Sequence, residues 1–411
     1  MASRILLLLI STYLATPIPP TQDPFYSPTE GFETSSPGTV LRIREAVGNL
    51  TTLAGSNCSA AYNIVYRTTN SRYNADYAVT TIFVPASPSP ALLSYQVPYD
   101  SAYLDASPSY ALYSTDGASW MQDVSTALSL GWFVSVPDYE GPLASFTAGV
   151  QSGHATLDSV RAILNANASN GLGLLPDTRS AMWGYSGGAL ASEWAAELQV
   201  QYAPELNFSG AALGGLTPNV SSVLDSINGQ IDAGLGPSSF LGLSSQYPEL
   251  RQFLVSKLKT TGPYNATGFL AAENYTNSQA VEAFAFQNIT DYFVGGISDL
   301  LGPLALSVAN VEGQMGYHGV PQMPIFAYKA IADEVSIVND TDVLMERYCN
   351  VGANILYNRN TIGGHAAEEI NGRPAALSFL QSVLSDMNAT GFPSSGCKTQ
   401  DVSVNITDTV F

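Results

Sequence analysis

Short apolar runs rich in Val, Ile, Tyr and Phe recur along the chain, each closed by Gly, Pro or Asp. They fall at residues 62–69 (YNIVYRTT), 77–86 (YAVTTIFVPA), 91–97 (ALLSYQV), 132–138 (WFVSVPD), 180–186 (SAMWGYS), 208–215 (FSGAALGG) and 323–333 (MPIFAYKAIAD). Runs of that length and composition read as buried strands. Between and after them the apolar period changes to that of a helix, at 147–168, at 187–202 and, near the C-terminus, at 374–387 (PAALSFLQSVLSDM). Strand–helix–strand alternation predicts an α/β fold with a mostly parallel central sheet and helices on both faces. The alternation breaks between residues 219 and 312, where mixed helix and loop, paired glycines and four glycosylation sequons replace the strand signal. We read this as a mainly helical cap inserted into a core of residues 21–218 and 313–411.

Composition narrows the classes of function. Of 411 residues, 45% are hydrophobic and 12% charged, against roughly 25% charged in ordinary soluble domains, so the surface is mostly neutral and polar. The net charge is −19, with 15 Lys and Arg against 34 Asp and Glu and no basic cluster, which argues against nucleic acid or anionic lipid as a partner. The opening MASRILLLLISTYLATPIPP has the basic start and short apolar run of a secretory signal peptide over about residues 1–20, with cleavage expected near Ala15. That run is too short to span a bilayer, so no stable membrane anchor is expected. Sequons at Asn49, Asn57, Asn167, Asn207, Asn219, Asn265, Asn274, Asn288, Asn339, Asn388 and Asn405 fit secretion and mark expected glycosylation sites. In an oxidising compartment the expected disulfide joins Cys349 and Cys397 and leaves Cys58 over. Three Cys and three scattered His offer no metal-ligand spacing, and neither a metal nor a cofactor is expected.

The chemistry gathers at MWGYSGGALASEWAAELQ, residues 182–199, where a strand end meets a helix start. Gly184, Ser186 and Gly188 form G-x-S-x-G, whose glycines let strand and helix approach closely enough for a strained serine to project from the turn. The helix that follows aims its first N–H groups, Gly187 foremost, at the place where an oxyanion would form. A serine nucleophile needs a base. His154 lies in a helical stretch of small residues, which suits a surface or packing role, and His318 lies in a loop before a strand. His365, in the Gly-flanked GGHAAEE, is last in the chain order Ser, acid, His of an α/β-hydrolase and is the expected base. Asp333, first off the strand ending IADE, is the expected acid, with Glu334, Asp340 and Asp342 as alternatives. A second oxyanion donor is expected from the loop after the 91–97 strand, at the N–H of Asp100 or a neighbour.

Taken together, AAYNIVYRTTN, LLSYQVPYDSAYLDASPSYAL, GYSGGA, IADE, GANI and GGHAAE resemble the fungal secretory lipase family, the lipase A type of α/β-hydrolase. The resemblance implies Ser186, Asp333 and His365 as a catalytic triad, the N–H groups of Asp100 and Gly187 as the oxyanion hole, a cap inserted before the Asp333 strand, and the Cys349–Cys397 bridge. The chain departs from lipase-like members in lacking a second disulfide, in the extra Cys58 and in a shorter tail after Cys397. The expectation is a secreted, monomeric serine carboxylic-ester hydrolase, lipase or esterase, acting on an acylglycerol or small-metabolite ester. The alternative is an acyltransferase or a dedicated esterase of secondary metabolism.

Overall fold

The alternating runs assemble into one ten-stranded sheet in the computed structural model, which describes residues 16–385 and 392–406. The strands are β1 (Val40–Glu45), β2 (Cys58–Thr69), β3 (Ala75–Pro85), β4 (Ala91–Gln96), β5 (Phe133–Pro137), β6 (Arg179–Tyr185), β7 (Phe208–Gly214), β8 (Ile325–Ala330), β9 (Ile355–Asn360) and β10 (Cys397–Val402). Their order is β1-β2-β3-β5-β4-β6-β7-β8-β9-β10. The β1–β2, β2–β3 and β3–β5 pairs are antiparallel, and every pair from β5–β4 to β9–β10 is parallel. Helices cover both faces, so β4, β5 and β8 are buried along their whole length and read as mainly apolar runs, broken by Ser94, Gln96, Ser135 and Lys329.

Two helices fix the centre of the sheet. Gly149–Asn170 (α1) packs on Gly187–Tyr202 (α2), and the wholly buried Trp194 fills the space between them. Burial of that indole contributes on the order of 3 kcal/mol. His365–Leu384 (α3) lies against β6, β7 and β8. It begins nine residues before the helix expected at 374–387 and carries Pro374 in its interior. His365 is thus the first residue of a helix and not part of a loop.

Between β7 and β8 the chain makes no strand and runs through helices from Val220 to Glu312. These hold an apolar core of their own, in which Leu241, Leu250, Leu254, Phe269, Phe293 and Leu300 are buried. Three strands were not anticipated: β1, β9 and β10. β1 carries Arg42 and Arg44, and β10 reads CKTQDV and is mostly exposed, so neither has the apolar signature of a central strand. Cys349 and Cys397 are bridged, with Cα atoms 5.9 Å apart, and Cys58 is free and buried.

Candidate active site

The residues singled out in the sequence come together at the carboxyl ends of the parallel strands, where open α/β sheets place their ligands. Ser186 directly follows β6 and caps α2, with φ 51° and ψ −121°. A non-glycine residue held there is strained, and the packing around it maintains the strain. A Cβ on Gly184 would lie 2.2 Å from the Gly188 carbonyl oxygen, and one on Gly188 would lie 1.9 Å from that of Gln96. The motif glycines are therefore required by backbone contact. The Ser186 N–H donates to the Gly214 carbonyl at 2.9 Å, which fastens the turn to the end of β7.

Ser186 Oγ lies 2.8 Å from His365 Nε2, and His365 Nδ1 lies 2.7 Å from Asp333 Oδ2. This relation of hydroxyl, imidazole and carboxylate is that of a serine nucleophile, its base and the group that orients the base. The imidazole is held from several sides. The His365 N–H donates to Glu334 Oε2 at 2.9 Å, the Tyr185 hydroxyl donates to the His365 carbonyl at 2.5 Å, and the Tyr185 ring lies 5.3 Å from the imidazole. Asp333 Oδ1 accepts from Val335 N at 3.0 Å and Ser336 N at 2.8 Å, and Oδ2 also accepts from Lys329 Nζ at 2.9 Å. Burial alone would raise this carboxyl. The hydrogen bond and charge of His365, the Lys329 ammonium and the Ser336 N–H outweigh it and hold the carboxyl down to about 2. Asp333 therefore stands ionised beside the imidazole.

Asp100, after β4, takes φ 41° and lies against Gly187, with Oδ1 1.8 Å from where a Cβ on that residue would sit. As the first residue of α2, Gly187 presents an N–H with no partner inside the helix. The Asp100 carboxyl is buried, and desolvation pushes it up to about 7 against the opposing charge of His365. Its Oδ1 has no hydrogen-bond partner among the described residues. Glu334 is the acceptor for the His365 N–H and not the triad-type partner of the ring, while Asp342 pairs with Arg359 and Asp340 sits in the first turn of helix Val338–Asn350.

A cleft opens from Ser186, Gly187 and Asp100 into the helices that follow β7, and encloses about 850 Å³ including its mouth. Its walls are almost entirely apolar, with Phe146, Leu190, Leu224, Phe240, Leu300 and Leu306 prominent. Thr217 brings a hydroxyl that has no partner among the described residues.

The other two histidines lie elsewhere. His154 is wholly buried and stacks on Tyr202 at 3.8 Å, and desolvation pushes it down to about 3. His318 Nδ1 lies 3.9 Å from Glu197 Oε2. Among the described residues no group of His, Cys, Asp and Glu is placed to hold a metal ion, and no helix is long and apolar enough to cross a membrane. Asn49, Asn57, Asn207, Asn274, Asn288, Asn339 and Asn405 are exposed, and Asn167, Asn219 and Asn265 half-buried. Asn388, residues 1–15 of the expected signal segment and the cleavage expected near Ala15 lie outside the described residues. Lys329, Glu334 as a backbone anchor, Tyr185 and Thr217 escaped the sequence reading. Only Lys329 left a signal, a lone cation in the apolar run IFAYKA.

Comparison with known proteins converges on one group. Residues 117–391 match the secretory lipase family. The trichothecene C-3 esterase of Fusarium sporotrichioides is 50% identical over 404 residues, covering 95% of this chain and 89% of that protein. A probable trichothecene esterase of Stachybotrys chartarum is 41% identical over 404 residues, covering 95% and 81%. The X-ray structure of Candida antarctica lipase A superposes with a TM-score of 0.84 at 30% identity, covering 96% of this chain and 92% of that one.

Proposed function

The chain belongs to the secretory lipase family and is a secreted carboxylic-ester hydrolase, and on that premise we propose that Ser186, His365 and Asp333 are its catalytic triad. The observation that carries the reading is the continuous chain of hydrogen bonds from Ser186 Oγ through the imidazole to Asp333. As Ser186 Oγ bonds to the ester carbonyl carbon, its proton passes to His365 Nε2. The carbonyl oxygen becomes an oxyanion, held by the N–H groups of Gly187 and Asp100. The bond from carbon to the alcohol oxygen then breaks, and the alcohol leaves with the proton from His365. Water repeats the sequence on the acyl-enzyme, giving the free acid and the resting serine. Residues 219–312 act as the cap that supplies the apolar walls of the cleft, the exposed sequon asparagines carry glycans, and the protein works as a monomer.

For the substrate, the greater identity to trichothecene esterases than to lipase A favours the ester of a compact secondary-metabolite alcohol, a C-3 trichothecene ester, over a triacylglycerol. A panel tests this: a 3-acetylated trichothecene, p-nitrophenyl acetate and emulsified tributyrin and triolein, each with the wild type and Ser186→Ala. The expected result is preferred turnover of the trichothecene ester, lost in Ser186→Ala. Preferred turnover of emulsified triolein contradicts the substrate, and hydrolysis by Ser186→Ala contradicts the nucleophile. Adding an acceptor alcohol separates an acyltransferase, which would form a new ester in place of the free acid.

A further inference from the structure

The triad acid has a second cation. Lys329, on β8, is wholly buried, and its ammonium reaches the same Asp333 oxygen that faces the imidazole, 2.9 Å from Lys329 Nζ and 2.7 Å from His365 Nδ1. A buried ammonium is costly unless it is paired. Here Nζ also donates to the Leu216 carbonyl at 2.8 Å, and that carbonyl accepts from the Ser336 hydroxyl at 3.0 Å. The lysine thus ties the loop after β7, which brings Thr217 to the cleft, to the turn that carries Asp333.

We propose that Lys329 is a positioning residue of the hydrolytic site: its ammonium fixes the Asp333 carboxylate in place and offsets part of its charge, which sets the acid limit of activity. The proposal rests on the reading of Asp333 as the triad acid. A carboxylate that already faces one cation attracts a proton to the neighbouring imidazole less strongly than an uncompensated one.

The groups that bear on this charge balance come from several elements. Lys329 faces Asp333, Asp340 and Glu334. Asp333 faces His365 and Lys329, and lies within electrostatic reach of Tyr185, Tyr357 and Glu368, while Asp100, Asp232 and Glu369 lie within reach of His365. Burial pushes the Lys329 ammonium down from its usual value, and Asp333 draws it back up. Of these groups, Lys329 is the cation that stays with Asp333 while the imidazole cycles between neutral and charged.

The test is the pH profile of kcat/KM on a soluble p-nitrophenyl ester for the intact glycosylated protein and for Lys329→Met, Lys329→Gln and Lys329→Arg, with folding checked by circular dichroism. The neutral variants are expected to move the acid limb up by about one pH unit, with lower kcat and little change in KM, and Lys329→Arg to hold the limb at the wild-type position. A merely structural lysine would lower activity evenly and leave the limb in place, and that result overturns the proposal. If neither neutral variant folds, Lys329→Arg decides alone: a limb and a kcat both at the wild-type position support the proposal, and a limb that departs from wild type, or an evenly lowered rate with the limb in place, overturns it. Ser186→Ala and Asp333→Asn are measured alongside. Wild-type rates in those two sink the triad reading itself, whereas their inactivity with an unmoved limb in the folded neutral variants, Lys329→Met or Lys329→Gln, sinks only the role of Lys329.

Discussion

In the proposed site, Asp100 brings a carboxyl to the place where negative charge would develop during ester hydrolysis. Burial raises that carboxyl to about 7, so it is neutral in mildly acidic solution and gains charge as the pH passes neutrality. A carboxylate beside Gly187 would oppose the oxyanion, so kcat/KM is expected to fall by up to about tenfold per pH unit above that point. Asp100→Asn keeps the size of the side chain and removes the charge, and its profile should stay level across the same range. An alkaline fall unchanged in Asp100→Asn would assign it to another group. The sequence led to Asp100 only as one of several loop residues, because a donor N–H leaves no residue-type signature. Ser186 and His365 were legible for the opposite reason: a nucleophile turn needs glycines at fixed offsets, and three histidines leave few bases to weigh. Lys329 was passed over because a cation inside an apolar strand shows its purpose only when its partner four residues on is seen to bend back to it.

Strands were read well where both faces are buried and poorly toward the edges, β9 included, which is only half-buried along part of its length and ends in Asn358, Arg359 and Asn360. β4, β5, β6 and β8 announce themselves as apolar runs, whereas β1 and β10 lie at the two ends of the sheet and carry charged side chains. The last helix was misjudged because Pro374 looks like a first-turn proline. In the structure the helix begins at His365, so the imidazole is held by the start of a rigid element and not by a loop. The Cys349–Cys397 bridge ties the end of helix Val338–Asn350 to the first residue of edge strand β10, across 48 residues of sequence. Breaking it with Cys349→Ser and Cys397→Ser together should cost about 2–4 kcal/mol of stability. Chemical unfolding of the double variant checks this, and an unchanged midpoint would show that β10 is held by its pairing with β9 alone.

Over the entire chain, the buried carboxyls set how stability depends on pH. Desolvation pushes Asp100, Asp138, Glu312 and Glu368 up to about 7, and Asp123 and Asp158 to about 6. A carboxyl raised on folding contributes stability that is whole below its unfolded value, near 4, and is lost as the pH rises through its folded value. His154, pushed down to about 3, and His318, also lowered by burial, act in the opposite sense and weaken the fold as the pH drops below about 6.5, but the raised carboxyls, Asp76, Glu140 and Glu193 among them, outnumber them. Asp333, held down to about 2, contributes above its unfolded value and is lost only in stronger acid. The net charge of −19 adds self-repulsion on the neutral side. Thermal unfolding should therefore show a midpoint several degrees higher at about pH 5 than at about pH 7.5; a midpoint that rises toward neutrality would contradict the burial of these groups. The hydroxyl at the β6–α2 turn is proposed as the nucleophile, activated by His365. Labelling with a fluorophosphonate, followed by peptide mass spectrometry, tests it most directly. The expected result is one label per chain on Ser186, with loss of hydrolysis in step with labelling and no label in His365→Ala. Full inactivation with the label on another residue, or undiminished labelling of His365→Ala, would contradict it.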